Sequence, residues 1–251
     1  MARIPSARNS RTLRGLREDL RMVRGLLGGG EPAAIDPVDP TSDPDELVSR
    51  YLATHPVRKV QLGAGLTQLD GWLATDVSPR RDDVLAVDAT RLLPFPDASI
   101  DYIGAEHVIE HVRYRAGQRL LRHCLRALRP GGVLRVATPD LARLVAAYRG
   151  EEGEEGRRFV ELMGRRYLRG REDPVGVLNL AMRAWGHQYL YDEPALRALL
   201  TEAGFTDLTR CAFGESGDPE LRDVERHGVE TGIPREVVHF ETMVLEATKP
   251  R

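Results

Sequence analysis

Covalent staples, lysine and long apolar runs are all scarce in this chain of 251 residues. Its two cysteines, Cys124 and Cys211, lie far apart and show none of the short spacings of a zinc site or a disulfide framework. A reduced, cytoplasmic setting is therefore expected. Lysine occurs only at Lys59 and Lys249; the remaining basic residues are arginine, which together with much Ala, Gly and Pro suggests a bacterial source. Basic and acidic residues number 36 and 38, so no net field selects nucleic acid as a partner. No stretch approaches the roughly 20 apolar residues of a membrane span. The start of the chain also lacks the continuous apolar region of a secretory signal. What remains is the composition of a globular domain, long enough to bury a core without covalent help.

Residues 11–27 place Leu13, Leu16, Leu20, Val23 and Leu27 at a/d spacing among arginines. This predicts a helix that packs on its own domain or on a second subunit, so a homodimer is one expectation. Gly28-Gly29-Gly30 ends it, and a Pro- and Asp-rich linker follows. An N-terminal helical arm and linker over 1–43 and a main domain over 44–251 are expected. Asp43, Pro44 and Glu46 have the pattern of a capped helix start. Strands are expected near 58–63, 72–76, 83–88, 99–105 and 132–138, with a helix over about 116–129 stopped by Pro130-Gly131-Gly132. Strand alternating with helix predicts an α/β fold around a parallel sheet. Residues 150–190 break that rhythm with helical, Arg-rich segments, and predict a small helical cap. Asp192 then caps a helix that Gly204 ends. Strands near 206–213 and 236–248 would complete seven strands as an antiparallel pair.

In an open α/β sheet, ligands bind beyond the carboxyl ends of the strands. Gly63 and Gly65 end the first strand, Asp76 the second and Asp88 the third. Gln68 stands where a dinucleotide fingerprint has its third glycine, and Asp76 follows Gly65 by only eleven positions. Both departures argue against a nicotinamide cofactor. The short spacing also leaves room for a turn or irregular loop rather than a first crossover helix.

Taken in order, Gly63-Ala64-Gly65, Gly71-Trp72, Asp76, Asp88, Leu93-Pro94-Phe95-Pro96-Asp97, His107-Val108-Ile109-Glu110-His111, Leu128-Arg129-Pro130-Gly131-Gly132 and Thr138-Pro139-Asp140 resemble class I S-adenosylmethionine (SAM)-dependent methyltransferases. Within that superfamily they look like a bacterial, type-11-like group of small-molecule methyltransferases. The pattern continues through His187-Gln188-Tyr189-Leu190-Tyr191-Asp192, Ala203-Gly204-Phe205 and Glu246-Ala247-Thr248-Lys249. It runs over about 57–250 and leaves out the arm; Ala64 stands where the group commonly has Cys. The resemblance implies a Rossmann-like seven-stranded sheet and SAM as cofactor. By it Gly63, Ala64, Gly65, Asp76, Asp88, Ala89, Glu106 and His107 are expected cofactor contacts, with Asp76 on the ribose hydroxyls and Ala89 beside the adenine.

The expected reaction is methyl transfer to an oxygen or nitrogen of a small molecule, in a sugar or natural-product tailoring step. The candidate catalytic residues are His107, His187, Tyr191 and His111, with His107 favoured as general base because an imidazole titrates near neutrality. Gly214-Glu215-Ser216 is a further candidate for the cleft. The Arg residues at 157, 158, 165, 166, 169, 171 and 183 read as a solvated face; one turned inward would favour a carboxylate or phosphate on the substrate. Two other readings stand beside this one. The first is a SAM-binding protein without transferase activity. The second is a zinc-dependent hydrolase, since residues 107–111 match His-x-x-Glu-His, in which two histidines bind the metal. No third ligand is evident, so the stretch is expected to be metal-free.

Overall fold

The computed structural model describes residues 44–228 and 232–251. The expected arm, its linker and the capping role of Asp43 lie outside them. Helix α1 (Pro44–Thr54) starts with proline and two acids, which suit the positive end of a helix dipole. It buries Leu47, Val48 and Tyr51. The Tyr51 hydroxyl accepts from the Lys59 N–H at 2.8 Å and lies 2.7 and 2.9 Å from the carbonyls of Lys59 and Gly71. One phenol thus fixes the entrances to the first two strands.

Seven strands form one sheet: β1 (Lys59–Leu62), β2 (Trp72–Asp76), β3 (Leu85–Ala86), β4 (Ile100–Glu106), β5 (Leu128–Pro139), β6 (Thr206–Cys211) and β7 (Thr242–Thr248). Their order is β3-β2-β1-β4-β5-β7-β6. Neighbours from β3 to β5 are parallel, whereas β7 runs antiparallel to both β5 and β6. The winding reverses between β1 and β4, which opens a crevice beyond their carboxyl ends. The connection from β1 to β2 is a pair of turns, closed by Thr67 N–H to Ala64 and Trp72 N–H to Leu69. The short spacing seen in the sequence is resolved by omitting the helix.

Helix α2 (Tyr114–Ala127) packs Leu120, Leu121 and Cys124 into the main core with Ile100, Ile103, Leu134 and Leu245. It ends at Ala127, before the Pro-Gly-Gly that was expected to stop it. Pro130-Gly131-Gly132 instead lies within β5, where pairing with β4 shifts register between Ile100 and Tyr102. A bulge tolerates a residue that lacks an amide hydrogen.

Between β5 and β6 come α3 (Leu141–Arg149), α4 (Gly153–Tyr167), α5 (Pro174–Arg183) and α6 (Glu193–Ala203). As expected, the Asp192 side chain accepts from the Ala195 N–H and Gly204 closes α6 in a left-handed turn. The strand expected over 236–248 is divided. Residues Arg235–Glu241 form a short helix, α7, and only Thr242 onward is strand. The physical reason is a second core: Val237 and Phe240 turn to meet Leu144, Phe159, Met163, Tyr167 and Val177 of α3, α4 and α5. Phe159 and Phe240 stack at 4.7 Å. This helical layer extends from Leu141, beyond the 150–190 predicted, and recruits α7 as well. Among the described residues, no helix is long and apolar enough to cross a membrane.

Candidate active site

The carboxyl end of β1 turns through Gly63 and Gly65, both with positive φ (65° and 60°). A Cβ on Gly63 would stand 2.6 Å from Val108 Cγ2, so only glycine fits there. At Gly65 nothing lies within 4 Å of the position a Cβ would take, which leaves the backbone approachable. Asp76, at the end of β2, holds this turn: its carboxylate accepts from the Gly65 N–H at 2.9 Å and from the Ser78 N–H at 2.8 Å. Asp88 is exposed and accepts, through one oxygen, from the amide and hydroxyl of Thr90. Each carboxylate keeps lone pairs for a ligand. Buried Ala64 and partly exposed Ala89 complete the expected cofactor set at this end.

The end of β4 is different. His107 takes a left-handed backbone, φ 50°. Its Nδ1 lies 2.7 Å from Glu110 Oε1, its Nε2 3.3 Å from the Thr242 hydroxyl, and its ring stacks at 3.9 Å on His227. Burial opposes a charge on His107, but the charge of Glu110 and the hydrogen bond His107 donates to it, with Glu106 and Glu241 nearby, outweigh that and raise its pKa. Burial likewise opposes ionisation of Glu110, and the His107 charge and hydrogen bond, helped by His111 and His187, overcome it. The Thr138 hydroxyl donates to the second oxygen of Glu110 at 2.9 Å. Both shifts run in the direction of an ion pair, which works against His107 accepting a further proton as a general base.

Glu106, expected to face the cofactor, accepts instead from the N–H groups of Arg226 (2.6 Å) and His227 (2.8 Å). The segment after β6 therefore folds back over the end of β4. His187 brings its Nδ1 within 2.6 Å of the Ala181 carbonyl and its ring edge onto His111, 4.9 Å between centroids. Burial lowers its pKa to about 4 against the opposing pull of Glu110. Tyr191, expected at the cleft, lies in the main core with no exposed surface and no partner for its hydroxyl. Its backbone forms an isolated parallel bridge with Asp140.

Sequence reading missed two features. One is a buried network: Arg135 of β5 forks onto Glu225 (2.6 and 3.1 Å) and also reaches Glu246 at 2.6 Å. An Arg-Pro-Gly-Gly strand start gives no sign of it, because the partners lie about a hundred positions away. The other is a cavity of about 560 Å³ bordered by Arg143, Arg210, Arg235, Glu215, His239 and Thr242. Gly214 and Glu215, which the sequence offered as candidates for the cofactor cleft, border this cavity. The arginines do not come from the expected set. Arg157, Arg158 and Arg165 pair instead with nearby acids on the surface.

This sheet order, with its antiparallel seventh strand and a glycine turn held by the acid of the next strand, defines the Rossmann-like class I SAM-dependent methyltransferases. The chain belongs to the family described as "Methyltransferase domain", whose model matches residues 31–210. A "probable S-adenosylmethionine-dependent methyltransferase" of Mycobacterium tuberculosis is 32% identical over 137 residues, which are 54% of this chain and 37% of that protein. The match thus spans little more than a third of that relative's length. A protein of Mycolicibacterium smegmatis with the same description is 48% identical over 48 residues, 19% of this chain and 18% of its own. Among solved structures, an S-adenosylmethionine-dependent methyltransferase from Mesorhizobium loti is 18% identical with a TM-score of 0.45, covering 80% of this chain and 96% of its own.

Proposed function

We propose that this protein transfers a methyl group from SAM to an oxygen or nitrogen of a small molecule that carries an anionic group. The observation that carries the reading is the Gly63–Gly65 turn, held by Asp76 and open to a ligand at Gly65. Gly65 would let the cofactor approach the backbone, Asp76 would accept the ribose hydroxyls and Asp88 would meet the adenine. When bound, SAM supplies a methyl group on an already positive sulfur. The protein then needs chiefly to align the acceptor and exclude water. His107 and Glu110, hydrogen-bonded to each other, act as positioning residues at the end of β4.

The cavity beside Thr242 is of a size that suits a small ligand. Its three arginines favour a carboxylate or phosphate on the acceptor. A sugar or natural-product acceptor fits this reading, as does a bacterial cytoplasm. The arm would serve as the surface for a homodimer.

Calorimetry with SAM and with its demethylated product tests the cofactor half of the proposal. Micromolar binding is expected for the wild type, with clear weakening in Asp76→Ala. No binding of either compound by folded protein would end the reading. A second reading, SAM binding without transfer, draws on the engagement of His107 and Glu106 by neighbouring groups. Methylation of a tested acceptor in a single turnover excludes it.

A further inference from the structure

The motif His107-Val108-Ile109-Glu110-His111 contains chemistry that methyl transfer does not use. In an α-helix its two histidines would share a face and could hold one metal. The chain does not form that helix. His107 breaks the path with its left-handed backbone, and Ile109–His111 is a single 3-10 turn. His107 consequently faces Thr242 and His227, while His111 meets His187 from the segment after α5. The expectation of a metal-free motif counted His107 and His111 as the ligand pair and had no third. The fold exchanges His107 for Glu110 and supplies His187 from 76 positions further along.

Glu110, His111 and His187 each offer one ligand atom, and these atoms all lie within 4.8 Å of one another. Glu110 is fully buried and the two histidines are partly so. The surroundings have the form that metal sites require. His187 Nδ1 lies 2.6 Å from the Ala181 carbonyl, an acceptor only, so Nδ1 carries the hydrogen and Nε2 keeps its lone pair. A backbone carbonyl on the second ring nitrogen is the usual support of a metal-bound imidazole. Glu110 receives one hydrogen bond on each oxygen, from His107 and from Thr138. A carboxylate has about four lone-pair positions, so these contacts orient it and still leave room for a cation.

We propose that Glu110, His111 and His187 form a divalent metal site of zinc type that ties the segment after α5 to the turn after β4. Two imidazoles and a carboxylate, with no thiolate, suit Zn²⁺ and its spectroscopic substitute Co²⁺ better than Mg²⁺ or Ca²⁺. Three protein donors leave the fourth position for water or an incoming ligand. A tetrahedral ion holds its donors about 3.4 Å apart, so loading would draw the His187 segment inward. The inference does not depend on methyl transfer.

The test uses the full chain, produced without a histidine tag and stripped with a chelator. Co²⁺ is titrated in the absence of SAM while visible absorption is recorded, and Zn²⁺ is then added as competitor. One Co²⁺ per chain is expected, with the absorption of a low-coordinate site that Zn²⁺ abolishes. Zn²⁺ should also raise the melting temperature. His111→Ala and His187→Ala should each weaken binding by more than about 100-fold, since even losing an outer partner costs about 10–100-fold. His187→Gln serves if the alanine variant does not fold. His123→Ala, at a partly exposed position on α2, should bind like wild type. Absence of stoichiometric uptake by the wild type would overturn the proposal. So would wild-type binding in both His111 and His187 variants, which would place the metal elsewhere.

Discussion

At the β1–β3 end of the sheet, Gly65 has no neighbour where a Cβ would stand, Asp88 is exposed, and Asp76 touches only backbone amides. At the β4–β5–β7 end, Arg135 and Glu110 are out of contact with water; Arg135 is held by carboxylates from distant parts of the chain, and Glu110 by His107 of its own turn and the Thr138 hydroxyl. The first region keeps its shape through backbone turns and has spare acceptors. The second keeps its shape by pairing buried charges. Substitutions in the first should therefore be felt by a ligand, and substitutions in the second by the fold itself.

The strongest challenge to this contrast is Arg135→Met. It leaves Glu225 and Glu246 without their shared cation. Breaking a buried ionic network by removing one partner costs about 3–5 kcal/mol, so thermal or urea unfolding should show a large loss of stability. SAM affinity of the fraction that folds should change little. A stability near wild type would mean that water reaches the network.

Glu241 tests the same end through pH. It is buried beside Glu110 and His107; burial lifts its pKa to about 7, with His107 opposing. A carboxyl whose pKa is higher in the folded state holds its proton more tightly there. Its contribution is absent below the ordinary carboxyl pKa of about 4.3, and becomes progressively unfavourable as pH rises toward about 7. Above that the penalty is complete, at roughly 4 kcal/mol. Glu241→Gln should remove this decline, so stability measured at pH 5 and pH 8 should differ less in the variant than in wild type. Equal pH dependence in the two proteins would show that Glu241 is solvated or paired.

On the other side, Asp76→Ala should weaken SAM binding by about 1–3 kcal/mol, or roughly 5- to 150-fold, with little change in melting temperature. A large fall in stability with unchanged affinity would invert the comparison. The smallest effect is expected from Lys59→Met. The Lys59 to Glu220 pair, at 2.8 Å, is partly exposed, and such pairs contribute about 0–1 kcal/mol. Chemical denaturation should barely distinguish this variant from wild type.

Most of the first region was legible in the sequence, because its geometry is local. Gly63, Gly65 and Asp76 are close in the chain, and a short apolar strand ending in glycine constrains where they go. The caps of α6 were readable for the same reason: Asp192 and Gly204 act on backbone within a turn of themselves. The second region was only partly legible. Val237 and Phe240 looked like alternating strand residues until a helical layer offered them a face to bury against. Tyr191 looked available until its ring was turned into the core.

The sequence by itself determined the seven-strand α/β plan, the glycine turn and the acids that follow it, since periodicity and turn chemistry operate over a few residues. Tertiary structure alone decided the company of each histidine. His107 went to Glu110 and His227, and His111 to His187, because a single left-handed residue at the end of β4 re-aimed both. Pairing of buried charges is set by which strands and loops come to lie together, and no local rule of sequence contains that information.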